Sequence, residues 1–320
     1  MPAPVKIALD VMGGDLGPAS ALDGARLALE KNPNLHILLV GDRLPIDAFR
    51  ADASDELRSR TSVVYTASVI AMSDSPKEAL RSGADSSMRR AIECVRDGEA
   101  EACVSNGNTG ALVAISKFVL KTIEGLRRPA LLTPIPAENG VTIMLDVGAN
   151  TPCTASMLSE FAVMGSIVSN TDYGIETPKV GLLNIGVEAG KGHEVLHEAD
   201  EILGASSLNY IGFCEANQLF SSDVDVAVSD GFAGNIALKT MEGFSRFLAG
   251  RVASSGARFD VLDPRAHNGA SLVGLRSVVI KSHGGADAVA LSYAINTAMV
   301  EARADIPKKI ATGIDRLQKS

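Results

Sequence analysis

Gly190-Lys191-Gly192 places one cation between two residues that carry no side chain, directly after an apolar run at 179–185 and at the start of an amphipathic one at 192–204. Glycines let backbone N–H groups approach an anion, the lysine adds a point charge, and a helix N-terminus adds a partial positive charge. With Asn184 at the end of the apolar run, the loop reads as a phosphate cradle; a tight connection with a solvated lysine is the alternative. The spacing is neither GxxxxGK[ST] nor GxGxxG, so ATP and NAD sites are not indicated. Five more loops follow apolar runs: Asp10 to Asp15 with Gly13 and Gly14, Asn108-Thr109, Asp146 to Asn150, Asp230 to Asn235, and His283-Gly284-Gly285. A histidine at a strand's carboxyl end can donate to a developing oxyanion or move a proton, which singles out His283. For Asp10, closing its own loop by accepting N–H groups weighs evenly against touching a ligand.

Two other patterns point elsewhere. His193-Glu194-Val195-Leu196-His197 matches the HExxH zinc signature, with both histidines expected on one helical face. It opens a helix straight after a glycine loop instead of sitting inside one, so it is read as a first turn whose polar residues satisfy the helix dipole, and no metal site is expected. Cys153 could take an acyl group covalently, but no base stands obviously beside it. His36 and His267 are read as capping or packing residues. The serine-hydrolase elbow GxSxG is absent.

The elements that must carry these loops follow from periodicity. Strands are predicted at 5–10, 35–40, 61–66, 101–105, 130–135, 141–146, 179–185, 208–213, 224–229 and 276–281; helices at 18–31, 84–97, 109–124, 155–169, 192–204 and 285–303. Strand alternating with helix predicts an α/β fold: a doubly wound, mostly parallel sheet with helices on both faces and ligands at the strands' carboxyl ends. No linker interrupts the alternation, so one α/β domain over 1–320 is preferred, with a two-lobed subdivision as the variant. The least strand-like stretch is 241–271, whose first half puts Phe244, Phe247, Leu248 and Val252 on one helical face, expected to pack on the body or a subunit partner.

Composition narrows the partners. The chain has 320 residues, 46% hydrophobic, with 30 glycines, no tryptophan and a formal charge of −8, so neither disorder nor broad attraction to nucleic acid is expected. Four cysteines without CxxC spacing suit free thiols and a cytoplasmic address. The N-terminal MPAPVKIALD is read as entering a strand, so no signal peptide is expected, and no run of 18 uncharged apolar residues is present.

Nine segments resemble, in combination, the bacterial phosphate acyltransferase family: DVMGGDLGP at 10–18, DSSMRRAIE at 85–93, SNGNTGAL at 105–112, RRPALLTPIP at 127–136, LDVGAN at 145–150, EFAVMGS at 160–166, VGLLNIG with GKG at 180–192, the run 219–243, and the run 269–288. The resemblance implies a fold similar to isopropylmalate dehydrogenase and phosphate acetyltransferase. It implies synthesis of acyl phosphate from acyl-acyl carrier protein and inorganic phosphate for phospholipid synthesis, with no cofactor. It further implies a homodimer, weak peripheral membrane association and hand-over of the product to a membrane glycerol-3-phosphate acyltransferase.

A good thiolate leaving group and a largely dianionic phosphate make strong acid–base machinery unnecessary; positioning and an oxyanion cradle suffice. Carried over by residue, Lys191 with the Gly190 and Gly192 amides takes phosphate, Asn108 and Asn235 hold the thioester carbonyl or pantetheine arm, His283 donates to the oxyanion, and Asp10, Gly13, Gly14 and Asp15 shape the floor. Thr109, Asn150, Asn184 and Asp230 complete the substrate-binding set. Lys117, Lys121, Arg127 and Arg128 are candidate carrier contacts. Three departures stand out: Ser82-Gly83-Ala84 replaces a basic run, Val187 replaces an acidic residue, and 241–268 is short for the family's interface hairpin. A coenzyme A-dependent phosphate acyltransferase and a non-catalytic paralogue that binds an anionic metabolite are the alternatives.

Overall fold

The computed structural model describes residues 3–188, 190–253 and 268–317, the side chains of 249–253 and 316–317 excepted. The chain divides into two compact units, Met1–Thr122 with Asn268–Asp305, and Ile123–His267 with Ile306–Ser320.

In the first unit, β1 (Val5–Asp10) lies between β2 (Leu35–Gly41) and β4 (Ala102–Ser105), with β3 (Thr61–Tyr65) beyond β2 and β11 (Val278–Lys281) beyond β4, all parallel; β10 (Ala270–Val273) pairs antiparallel with β11. Val5, Ile7 and Leu9 join one apolar cluster with α1 (Gly17–Lys31) and α10 (Ala288–Ala304), while the alternate Ala8 is equally buried and α5 (Ser87–Arg96) packs on β1 and β4. Burial on both faces is what a parallel sheet with helices on each side requires. Here α6 (Thr109–Leu120) starts directly after the loop that follows β4.

In the second unit, β5 (Ala130–Ala137) and β6 (Gly140–Leu145) form an antiparallel hairpin; β6 pairs in parallel with β9 (Val226–Val228), β9 with β7 (Val180–Leu183), and β7 with β8 (Tyr210–Cys214). The sheet is backed by α7 (Ala155–Tyr173), which packs on β6 and β9, and by α8 (Glu194–Gly204) on β8. From Gly231 to Ala253 runs α9, and α11 (Ile306–Leu317) lies on α7.

All ten predicted strands and all six predicted helices appear, with shifted ends. Among the described residues six elements were not predicted, one of them the 3-10 turn Ala216–Phe220. In α2 (Arg43–Asp52) and α4 (Pro76–Ser82), a proline near the start reads as a break but sits where a helix tolerates it, and α4 carries a Ser75/Glu78 capping box. α3 (Asp55–Ser59) is one short turn, β10 is four residues long, and α11 hides its Ile306, Ile310 and Ile314 stripe behind a proline and a glycine. The expected helical face at Phe244 and Phe247 belongs to α9, which starts ten residues earlier; both rings are exposed and stack at 6.5 Å. Of the segment expected to form an interface hairpin, 254–267, including His267, lies outside the described residues. No described helix is long and apolar enough to cross a membrane.

Candidate active site

In the second unit the chain leaves β6 at Asp146, a fully buried carboxylate that closes the LDVGAN loop on itself. Oδ1 accepts from the backbone amides of Leu131 (3.0 Å), Gly148 (3.2 Å) and Ala149 (3.0 Å), and Oδ2 from the Asn150 amide (2.7 Å) and Asn150 Nδ2 (2.8 Å). Burial pushes the Asp146 carboxyl up from its ordinary pKa, and the hydrogen bonds from Ala149, Asn150 and Leu131 pull against that shift. Asn150 is spent in this network: its Nδ2 also donates to the Pro129 carbonyl, and its own carbonyl accepts from Gly231. It holds the loop instead of presenting an amide to solvent.

The same loop seats the start of α9. A side chain at Gly234 would collide with the Asp146 carbonyl oxygen, so only glycine lets the helix come this close. Asp230 caps the helix by accepting from the Ala233 amide at 2.8 Å. Asn235, one residue on, is exposed, and its amide lies beside Gly148.

The Lys191 loop is shaped by Asn184, whose Nδ2 donates to the Lys191 carbonyl (3.0 Å) and whose Oδ1 accepts from Ile185 (2.8 Å). Gly192 takes φ +96° against that amide, a conformation and a closeness that a side chain would not allow. Lys191 and Gly190 are exposed, and the Lys191 amide donates to the Glu188 carbonyl. His193 is the N-cap of α8, one residue before the helix, and its carbonyl accepts from the His197 amide at 3.3 Å; His197 packs edge-on against Phe213 at 5.7 Å. Among the described residues no group of three or more His, Cys, Asp or Glu is placed to hold a metal ion.

An apolar cavity of about 900 Å³ adjoins both segments. Its lining includes Asn184, Gly192 and His193 from the Lys191 loop and Ser229 and Asp230 from the start of α9. Cys153, also in the lining, is buried, and burial followed by the nearby Asp146 charge pushes its thiol up to about 12, the wrong direction for a nucleophile at neutral pH.

In the first unit Asp10 plays the part that Asp146 plays in the second. It is buried, accepting from Ser87 Oγ and Ser105 Oγ (2.6 Å each) and from the Met12 amide (3.2 Å), and burial pushes its pKa up. Both oxygens are engaged in tying β1, β4 and α5 together, which favours the loop-closing role over ligand contact. Asn108 caps α6 by accepting from Ala111 and spends its Nδ2 on the carbonyls of Ala71, Met72 and Asp74, with Thr109 as the first helical residue. The Asp15 amide donates to the Gly284 carbonyl at 2.8 Å, joining Gly13, Gly14 and Asp15 to the His283 loop. His283 is exposed. Its Nδ1 accepts from Gly285 at 3.1 Å, which leaves the proton of a neutral ring on Nε2, the donor that an oxyanion needs.

Sequence reasoning passed over Asn106. Its side chain is fully buried against Gly13 and Gly14, and neither amide atom has a hydrogen-bond partner. The signal was available: Asn106 stands nearer the end of β4 than Asn108 in the same SNGNTG motif.

The candidates therefore fall into two sets: Asp10, Gly13, Gly14, Asp15, Asn108, Thr109 and His283 in the first unit, and Asn150, Asn184, Gly190, Lys191, Gly192, Asp230 and Asn235 in the second. Of these, Asp15, Lys191, Asn235 and His283 have exposed polar side chains.

A sequence model of a family described as "Fatty acid synthesis protein" matches residues 5–309. A phosphate acyltransferase from Shewanella woodyi is 44% identical over 331 aligned positions, covering 97% of each chain, and one from Nitrosococcus oceani is 43% identical, again covering 97% of each. Among solved structures, a phosphotransacetylase from Streptococcus pyogenes superposes with a TM-score of 0.65 at 18% identity, covering 95% of this chain and 94% of that one. The EutD phosphotransacetylase from Staphylococcus aureus gives 0.64 at 19%, covering 93% and 94%. At that identity the structural likeness establishes the doubly wound α/β fold and nothing more.

Proposed function

Because the chain belongs to this family of fatty acid synthesis proteins, whose curated relatives are phosphate acyltransferases, we propose that it makes acyl phosphate from an acyl-acyl carrier protein and inorganic phosphate, to supply membrane phospholipid synthesis. A phosphate oxygen attacks the thioester carbonyl carbon, the tetrahedral oxyanion collapses, and the carrier thiolate leaves and takes up a proton. The observation that carries the reading is the Lys191 loop: an exposed cation between two glycines, held by Asn184 at the start of α8, within a chain that matches the family nearly end to end. Lys191 and the Gly190 and Gly192 amides take the phosphate. Within the second unit Asn235 orients the thioester at the start of α9, and within the first unit His283 Nε2–H is a donor suited to an oxyanion. Asp10, Asn108, Asn150 and Asn184 serve by holding their loops.

A protein donor is supported by the α5–α6 surface. There Phe118 is exposed, with Arg89 5.6 Å and Lys121 5.0 Å from its ring centre, an apolar contact flanked by cations that suits an acidic carrier. The exposed Phe244 and Phe247 on α9 suit a homodimer contact or the membrane surface on which the glycerol-3-phosphate acyltransferase would receive the product.

The test is release of free thiol from long-chain acyl carrier protein with and without phosphate, with hydroxylamine trapping acyl phosphate. Phosphate-dependent release with hydroxamate formation is expected. Release from acyl coenzyme A alone would replace the carrier, and no release from any thioester would refute catalysis.

A further inference from the structure

The cavity in the second unit has no role in the attack on the thioester carbonyl, yet its lining joins the two segments that carry Lys191 and Asn235. Its walls are Leu158 of α7, Leu183 at the end of β7, Val195 and Leu196 of α8, Leu219, and the α9 face from Phe232 to Met241. Among the described residues no lysine or arginine lines it, and Asp230 is its one carboxylate. Away from the end formed by Asn184, Gly192, Ser229 and Asp230, such walls give little to a phosphate or a nucleotide and suit a hydrocarbon. Four of its large apolar side chains, Ile185, Phe220, Phe232 and Ile236, are between 46% and 79% exposed, so a ligand entering it removes apolar surface from water.

The shape fits a chain. Along α9 the lining runs from Asp230, at the helix start, to Met241, a distance of about 17 Å at the helical rise. The polar end of that wall stands beside the Asn184–Gly192 loop; Ala237, Thr240 and Met241 lie further along.

We propose that this cavity holds the fatty acyl chain of the donor, carbonyl toward Asp230 and Gly192 and methyl end toward Met241, and that the small residues of α9 set the chain length the protein accepts. The proposal rests on the acyl-transfer reading above. It locates that reading's substrate in a place where no catalytic group is needed.

The experiment compares kcat/KM for butyryl, octanoyl and palmitoyl donors on one carrier, using the unmodified chain, Ala237→Trp and Met241→Trp. A filled cavity lowers the palmitoyl-to-butyryl ratio at least tenfold in both variants. Because Met241 lies four residues further along α9, its variant spares octanoyl relative to Ala237→Trp. That graded cut-off is something a general loss of folding would not produce. If both variants keep the unmodified ratios within twofold, the proposal is overturned. It is equally overturned if they alter sedimentation of the protein while the ratios stay fixed, since the cavity then seats a second copy. Should the unmodified chain turn over no thioester, the functional reading fails separately. Titration with a pyrene-labelled long-chain fatty acid then decides the cavity: binding weakened tenfold in Ala237→Trp sustains it, and equal binding in variant and unmodified chain removes it.

Discussion

Replacing Asp146 with asparagine changes one atom and no shape, and the structure says the change is expensive. All five partners of the carboxylate are N–H donors: the amides of Leu131, Gly148, Ala149 and Asn150, and Asn150 Nδ2. An asparagine must turn its own NH₂ toward either Oδ1's three donors or Oδ2's two. In the cheaper orientation two buried donors lose their acceptor and face another donor, and each costs about 1–3 kcal/mol. The two together cost about 2–6 kcal/mol, a range that brackets the roughly 3–5 kcal/mol typical of removing one partner of a buried charged pair. Chemical denaturation followed by circular dichroism reads this as a fall in midpoint with little change in slope. Because the loop seats Gly234 and the start of α9, Asp146→Asn should also lower phosphate-dependent turnover under conditions where the protein remains folded. A stability loss below about 1 kcal/mol would refute the account, since it would mean that the five donors find acceptors elsewhere at little cost.

Other perturbations separate loop holders from groups that act. Lys191→Ala should raise the KM for phosphate at least tenfold, roughly 1.4 kcal/mol, with a thermal midpoint within a degree or two, because the side chain is exposed; unchanged phosphate dependence in steady-state kinetics removes it from the site. Cys153→Ser should keep its turnover within about twofold, since burial holds the thiol protonated; complete loss of turnover in a folded variant would restore a covalent acyl intermediate. Gly234→Ala should cost about 1–3 kcal/mol from overpacking against the Asp146 carbonyl and weaken turnover along with it, as measured by denaturation and thiol release. Asp172 on α7 is raised to about 6, chiefly by burial and in spite of Lys309 on α11, and its Oδ1 has no partner. The neutral acid is therefore favoured in the fold: its contribution is complete below about pH 4 and is lost as pH rises through about 6. After allowance for partial exposure, Asp172→Asn should gain about 1–2 kcal/mol over the unmodified chain at about pH 7.5 and nothing at about pH 4; a gain that does not vary with pH would sink this assignment.

Strands and their order of appearance were legible because a strand buried on both faces leaves a near-continuous apolar run, as in 35–40 and 101–105. The antiparallel turn of β6 back along β5 had a mark that the expectation of a mostly parallel sheet passed over: Glu138-Asn139 is too short for a parallel crossover, and Asn139-Gly140 is a hairpin signal. α11 was missed because its stripe spans three isoleucines in a stretch of otherwise polar residues. Within the site, the residue types were visible, but the direction of their side chains was not. Asn108, Asn150, Asn184 and Asn235 are equivalent as letters, and only the fold shows three of them spent on backbone groups and the fourth exposed. Asn106 illustrates the converse, a buried amide whose place next to the end of β4 was visible in the sequence but whose lack of a partner was not.

The two units meet the same local problem with the same residue type. A glycine-rich loop at a strand's carboxyl end exposes backbone donors that must be turned either inward or toward a ligand. In each unit a buried aspartate takes the inward set: Asp10 draws in Ser87, Ser105 and the Met12 amide, and Asp146 draws in five N–H groups. A buried carboxylate that already satisfies its loop has no lone pair to spare for chemistry and would repel an incoming phosphate. The acidic residues that look most catalytic in the sequence are therefore the scaffold. On the function proposed above, the chemistry falls to exposed groups, Lys191 and Asn235 in the second unit and His283 in the first. That division matches a reaction whose nucleophile arrives as an anion and whose leaving group needs no strong acid.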